Sequence, residues 1–135
     1  MKDRNIAIGL LLAAGLSVGA GMHTEISIIR GKIIYRGTAE GPVKVEVFDR
    51  PQFAPRPVHF AVLSESGLYE ARVHSGTYYL RAYIDVNRSG KWDPGEPVGL
   101  YGEGRPVVIV PLESKLGIDI RIEDDKKAVQ EPEKK

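Results

Sequence analysis

SESGLYEARVHSGTYYLRAYID, residues 64–85, decides the fold. Its side chains alternate with a period of two. In LYEARV, Tyr69, Ala71 and Val73 fall on one side, with Glu70 and Arg72 on the other. After His74-Ser75-Gly76 the alternation restarts. Tyr78, Leu80, Ala82 and Ile84 share one face, and Tyr79, Arg81 and Tyr83 share the opposite one. Successive side chains of a strand point to opposite faces. The pattern therefore predicts two strands joined by a tight turn, each laying one face on a core.

The same alternation runs outward from this stretch in both directions. Upstream, EISIIRGKIIYRG (25–37) reads as one long or broken strand, kinked at Gly31. PVKVEVFD (42–49) sets Val43, Val45 and Val47 against Lys44 and Glu46, and RPVHFAVLSE (56–65) puts Val58, Phe60 and Val62 on one face. Downstream, PVVIVPL (106–112) is apolar on both faces, which predicts a central or covered strand. LGIDIRIE (116–123) sets Leu116, Ile118, Ile120 and Ile122 against Asp119 and Arg121. No long segment shows a 3.6-residue apolar period. About seven half-apolar strands need two sheets packed face to face. The expected fold is an all-β, antiparallel β-sandwich of the immunoglobulin or transthyretin kind.

A chain of 135 residues with a formal net charge of +1 fits one domain and shows no basic excess to attract nucleic acid. It contains no cysteine, which excludes disulfides and zinc–thiolate sites. Lys2, Asp3 and Arg4 precede the uncharged run IAIGLLLAAGLSVGAG (6–21), and small residues close it, with Val18 and Ala20 at the −3 and −1 positions. This reads as a signal peptide spanning residues 1–20. The run is shorter than the roughly 20 residues of a membrane-spanning helix, which favours cleavage over a retained anchor. The reading implies a periplasmic or extracellular protein with no membrane span after cleavage. The charged segment EDDKKAVQEPEKK (123–135) is expected to be a disordered tail following a domain over 21–122.

Residues 64–85 also resemble the signature of carboxypeptidase regulatory-like domains. Gly67, Tyr69, Gly76, Tyr78, Leu80 and Ala82 carry the likeness, and IIRGKIIYRG and GPVKVEVFD resemble that family's opening strands. The resemblance implies a transthyretin-like sandwich and a non-catalytic accessory or interaction module on secreted proteins, whose partner is another envelope or extracellular protein. Tyr78 is expected to bury its ring and hydrogen-bond backbone near the turn through its hydroxyl, in the manner of a tyrosine corner.

The next twelve residues, DVNRSGKWDPGE (85–96), carry the candidate chemistry. Counting Asp85 as position 1, Asn87 is 3, Ser89 is 5, Gly90 is 6, Lys91 is 7, Asp93 is 9 and Glu96 is 12. This is the EF-hand pattern with Ser at position 5. Calcium takes six to eight oxygens. Side chains at 1, 3, 5 and 9, the carbonyl of 7 and both oxygens of a Glu at 12 can supply them once a Gly at 6 turns the chain. The candidate metal ligands are thus Asp85, Asn87, Ser89, Lys91, Asp93 and Glu96, for one structural calcium. The competing reading is a polar turn built from the same residue types. The incoming element is a strand, and Pro94 and Gly95 disfavour an outgoing helix. The loop is therefore similar to dockerin-like loops and not to a paired sensor. Its expected dissociation constant is about 10⁻⁴–10⁻³ M, as in extracellular modules.

Trp92 at loop position 8 is expected to pack inward and anchor the loop. The alternative function is a carbohydrate- or peptide-binding module using exposed Tyr79, Tyr83 and Trp92. His23, His59 and His74 are not at metal-ligand spacing, and no nucleophile–base set is recognisable, so no enzymatic activity is expected.

Overall fold

The computed structural model describes residues 25–124. Residues 1–24, which include the expected signal peptide, and residues 125–135, most of the expected tail, lie outside them. Nine strands follow in order: β1 (Ser27–Tyr35), β2 (Val43–Phe48), β3 (His59–Leu63), β4 (Leu68–Val73), β5 (Gly76–Ile84), β6 (Val98–Leu100), β7 (Val107–Ile109), β8 (Ser114–Lys115) and β9 (Ile120–Ile122). A 3-10 turn, Tyr101–Gly104, separates β6 from β7. The count exceeds the seven expected because β6 and β8 are three and two residues long. Segments that short show no period.

The strands form two sheets, as a sandwich requires. In the first, β4 and β8 flank β1, and β9 continues the β8 edge. β4 is antiparallel to β1, whereas β8 and β9 run parallel to it. In the second, the order is β3-β2-β5-β6, with β7 pairing the first half of β5, and every pair is antiparallel. The inner faces meet over Ile29, Ile33, Val43, Val45, Val47, Tyr69, Ala71, Val73, Leu80, Ala82, Ile84, Ile118, Ile120 and Ile122, all buried. The predicted inward faces of β2, β4 and β5 are thus the observed ones. Tyr78 also behaves as expected, its hydroxyl donating to the carbonyl of His74 at 2.9 Å.

Other expectations are corrected. β1 is not kinked at Gly31; it pairs with β4 without a break from Ser27 to Lys32. Gly31 is needed for close approach instead, since a Cβ there would lie 1.9 Å from the Ile118 carbonyl oxygen. Val58, Phe60 and Val62 do share a face, but it is the solvent face of an edge strand, and all three are about half exposed. PVVIVPL is covered on one face only, with Val107 and Ile109 buried and Val108 and Val110 exposed. Leu116 leaves the apolar row because the β8–β9 segment carries one residue more than the stretch of β1 beside it and bulges there, with Gly117 at φ 75°. The sandwich also extends beyond Ile122. Glu123 exchanges two backbone hydrogen bonds with Val98 (3.0 and 3.1 Å), and Asp124 accepts the Tyr35 hydroxyl at 2.8 Å.

The Glu123–Val98 bridge ties β9 to β6 and closes one side of the sandwich. The other side stays open. There β3 and β4, the end strands of the two sheets, flank a cleft of about 720 Å³ lined by Ala61, Val62, Leu63, Leu68 and Tyr69 and by the charged Arg30, Lys32, Glu70 and Asp119.

The outward face of the second sheet is covered as well, which the alternation does not reveal. Glu46 and Arg81, opposite each other on β2 and β5, form an ion pair with Nη2–Oε1 2.6 Å. Phe48, Tyr83 and Trp92 surround the guanidinium at 5.2–5.9 Å from their ring centres. Phe53 closes the remaining side, edge-on to Phe48 and Tyr79. This minor core is the platform on which the 85–96 loop rests.

Candidate metal centre

Residues 85–96 connect β5 to β6, which are antiparallel neighbours. The ladder clamps both ends of the loop: Asp85 N–H donates to Pro42 O at 2.8 Å, and Ile84 N–H donates to Pro97 O at 3.1 Å. The ends of the loop are therefore fixed before any ligand arrives, so closing it costs no further chain entropy.

Within the loop, backbone donors orient the carboxylates. Asp85 Oδ1 accepts from Ser89 N–H (3.0 Å), and its Oδ2 accepts from Gly90 N–H (2.8 Å). Asn87 Oδ1 also accepts from Ser89 N–H (3.2 Å), which draws the oxygens of positions 1 and 3 together. Arg88 (φ 57°) and Gly90 (φ 88°) both sit in the left-handed region. At Gly90 a Cβ would meet nothing within 4 Å, so the glycine serves backbone conformation and not space. Ser89 Oγ donates to Asp93 Oδ2 (2.5 Å) and lies 3.0 Å from the Lys91 carbonyl oxygen. Asn87 Nδ2 donates to the same Asp93 oxygen at 3.0 Å. Glu96 straddles the loop, with Oε1 accepting from Asp93 N–H (2.9 Å) and Oε2 from Asn87 N–H (3.3 Å).

Hydrogen bonds thus link all six predicted positions within one closed turn, but the carboxylates of Asp85, Asp93 and Glu96 do not converge on one point. Asn87, Ser89, the Lys91 carbonyl and Asp93 form one linked group. Asp85 and Glu96 form its floor, each only 6% exposed. Among the described residues, no Lys or Arg lies within salt-bridge distance of either buried carboxylate. Only Asp93 has a cation, the Lys91 ammonium. Among the described residues, no three His, Cys, Asp or Glu side chains stand together as a metal set. The candidate set here mixes three carboxylates with an amide, a hydroxyl and a carbonyl, the oxygen chemistry that calcium takes.

The Lys91 ammonium, and behind it Ser89 and Asn87, hold the Asp93 carboxyl down to about 2. The same contact raises the Lys91 ammonium above its ordinary value. A carboxyl depressed on folding contributes order that is complete above its unfolded value and is lost as pH falls through its folded one. Asp93 therefore keeps its charge, and its place in the loop, well into acid.

Trp92 packs inward as expected. Its Nε1–H donates to Glu96 O at 3.1 Å, and its ring lies 5.8 Å from the Arg81 guanidinium carbon. Lys44 on β2 clamps the other flank, its ammonium 2.7 Å from Gly90 O. Neither Lys44 nor Arg81 carries a local sequence signal for this role. The β2–β5 register brings them here, Lys44 opposite Tyr83 and Glu46 opposite Arg81.

The expectation of an exposed Tyr79–Tyr83–Trp92 surface is corrected at its centre. Tyr83 is fully buried, because Trp92 and the loop cover the face on which alternation placed it. Its hydroxyl has no hydrogen-bond partner among the described residues, and burial raises its pKa far above the ordinary phenol value. A buried polar group without a partner costs free energy. Tyr83→Phe is thus expected to leave stability unchanged or raise it by up to about 1 kcal/mol, read from urea denaturation.

Among the described residues no helix is long and apolar enough to cross a membrane. Comparison with family models, curated proteins and solved structures finds no match to this chain.

Proposed function

We propose that this chain is an exported, non-catalytic β-sandwich module, akin to carboxypeptidase regulatory-like domains. It carries one structural calcium in the 85–96 loop and acts as an accessory to another envelope or extracellular protein. One observation carries the calcium reading. Two buried carboxylates, Asp85 and Glu96, close the two ends of a twelve-residue loop, and among the described residues neither is in an ion pair. Buried carboxylates are usually neutralised by an ion pair or a metal. Asp85, Asn87, Ser89, Asp93 and Glu96 would hold the ion through side chains and Lys91 through its carbonyl. The ion would neutralise the floor of the loop and lock it onto the minor core.

The test is thermal melting of the protein in excess EDTA and in calcium at about ten times the expected dissociation constant, beside Glu96→Gln. One site at that saturation stabilises by about 1.4 kcal/mol, or about 4–10 °C in Tm. The expected result is a shift of that size, absent in Glu96→Gln, whose melting in EDTA stays near that of the parent. No shift up to tens of millimolar calcium would make the loop a polar turn and end the calcium reading.

A further inference from the structure

The outward face of the second sheet carries a pocket of about 420 Å³ beside the 85–96 loop. Phe60, Glu46 and Arg81 stand in one row across β3, β2 and β5 and run along its base. Two connections complete it. The segment from β2 to β3 contributes Phe53 and Arg56, and the 85–96 loop contributes Lys91 and Trp92. A volume of this size is within the range of small-molecule sites.

The charges around the pocket do not balance. The Arg81 guanidinium is taken by Glu46, and the Lys91 ammonium by Asp93. Lys44 and Arg56 are left over, and among the described residues neither is in an ion pair. The Lys44 ammonium gives a hydrogen bond to Gly90 O at 2.7 Å and lies 4.5 Å from the centre of the Phe60 ring. It has three donors, so the Gly90 bond does not exhaust it. Arg56 is exposed and stands between Pro55 and Pro57. Proline fixes its own φ and restricts the residue before it to extended backbone, so the Arg56 main chain is stiff.

The rest of the lining narrows the chemistry. Phe53, Phe60 and Trp92 offer ring surfaces, and no Ser, Thr, Asn or Gln side chain lines the pocket. A sugar, whose many hydroxyls each need a partner when desolvated, finds few here. A flat apolar body with a single anionic group matches both the rings and the surplus cations.

We propose that this pocket binds a small aromatic carboxylate. The ligand ring packs among Phe53, Phe60 and Trp92. The two carboxylate oxygens meet the forked Arg56 guanidinium, with the Lys44 ammonium beside them. The site is separate from the calcium reading and needs no metal in the adjoining loop.

The test uses the full-length chain as the expressing cell processes it, in EDTA. Trp92 is the one tryptophan of the chain and stands in the pocket wall, so its fluorescence reports binding directly. The probe is 3-phenylpropionate. A saturable change is expected, with a dissociation constant of about 5 mM or tighter, the scale for a ligand of so few atoms. The neutral 3-phenylpropionamide is expected to bind at least about tenfold more weakly, as loss of a charge-assisted hydrogen bond predicts. Arg56→Gln is expected to weaken the acid by a similar factor while leaving Tm and the unliganded Trp92 spectrum unchanged. No saturable change up to about 50 mM, ten times that scale, would overturn the proposal. So would an amide that binds as well as the acid, or an Arg56→Gln variant that binds as the parent does. Tighter binding by the peptide Ala-Ala-Ala-Phe would overturn it in favour of the C-terminus of another chain.

Discussion

Arg81→Met is expected to destabilise the domain by about 3–5 kcal/mol, the cost of leaving a buried charge without its partner. The Glu46 side chain is 5% exposed and that of Arg81 is 19% exposed, and the guanidinium holds Glu46 Oε1 through both Nε (2.9 Å) and Nη2 (2.6 Å). Deleting the arginine strands the carboxylate beneath Phe48, Tyr83 and Trp92. Replacing both partners is a different experiment. Glu46→Leu with Arg81→Met removes the charge together with its need for a partner, and most of the lost stability should return. Urea denaturation of the two single variants and the double measures the coupling, expected to exceed about 2 kcal/mol for groups in contact. A loss below about 1 kcal/mol in Arg81→Met would mean that the pair behaves as a solvated surface bridge. Because Trp92 stacks on this guanidinium, Arg81→Met is also expected to shift Trp92 fluorescence, reporting a loosened 85–96 loop.

Gly31→Ala tests the close approach of β1 to the segment that joins β8 to β9. The Ile118 carbonyl lies directly over Gly31, held by its partners. Ile118 O accepts the Tyr69 hydroxyl at 2.6 Å, and Ile118 N–H donates to Arg30 O at 3.0 Å. The added Cβ would sit 1.9 Å from that oxygen and 2.4 Å from its carbon. The peptide must move, and both bonds stretch or break. Overpacking costs about 1–3 kcal/mol, and the disturbed buried hydrogen bonds add about 1 kcal/mol each. A total of about 3–5 kcal/mol is expected, visible as a drop of more than about 10 °C in Tm. An alanine tolerated within about 1 kcal/mol, the cost of a single lost hydrogen bond, would show that β1 and the Ile118 segment do not approach so closely.

Much of this architecture is legible in the chain because half-buried strands advertise themselves. The inward sets of β2, β4 and β5 follow from alternation alone, since each has one unbroken apolar face. Alternation does not say which face meets solvent. Val58, Phe60 and Val62 look like a core stripe and are an edge-strand exterior. Tyr83 and Glu46 look external and are buried. Both outcomes depend on what lies above the strand, which is set by loops distant in sequence. The 85–96 loop is readable for the opposite reason. Its polar spacing is local, so its hydrogen bonds close within the loop once Gly90 turns the chain. The supports beneath it, Lys44 and Arg81, belong to strand register and leave no trace in the motif.

The parallel pairing of β1 with β9 has a mechanical consequence. The first and last strands of the sandwich lie side by side and run the same way, Ile33 beside Ile120 and Tyr35 beside Ile122. A force drawing the two chain ends apart pulls β1 backward and β9 forward along a shared axis. The load falls across their hydrogen bonds in shear, so these must fail together and cannot be unzipped one by one. With the Glu123–Val98 bridge and the Tyr35–Asp124 contact at the same end, the domain is built to transmit tension from end to end without opening.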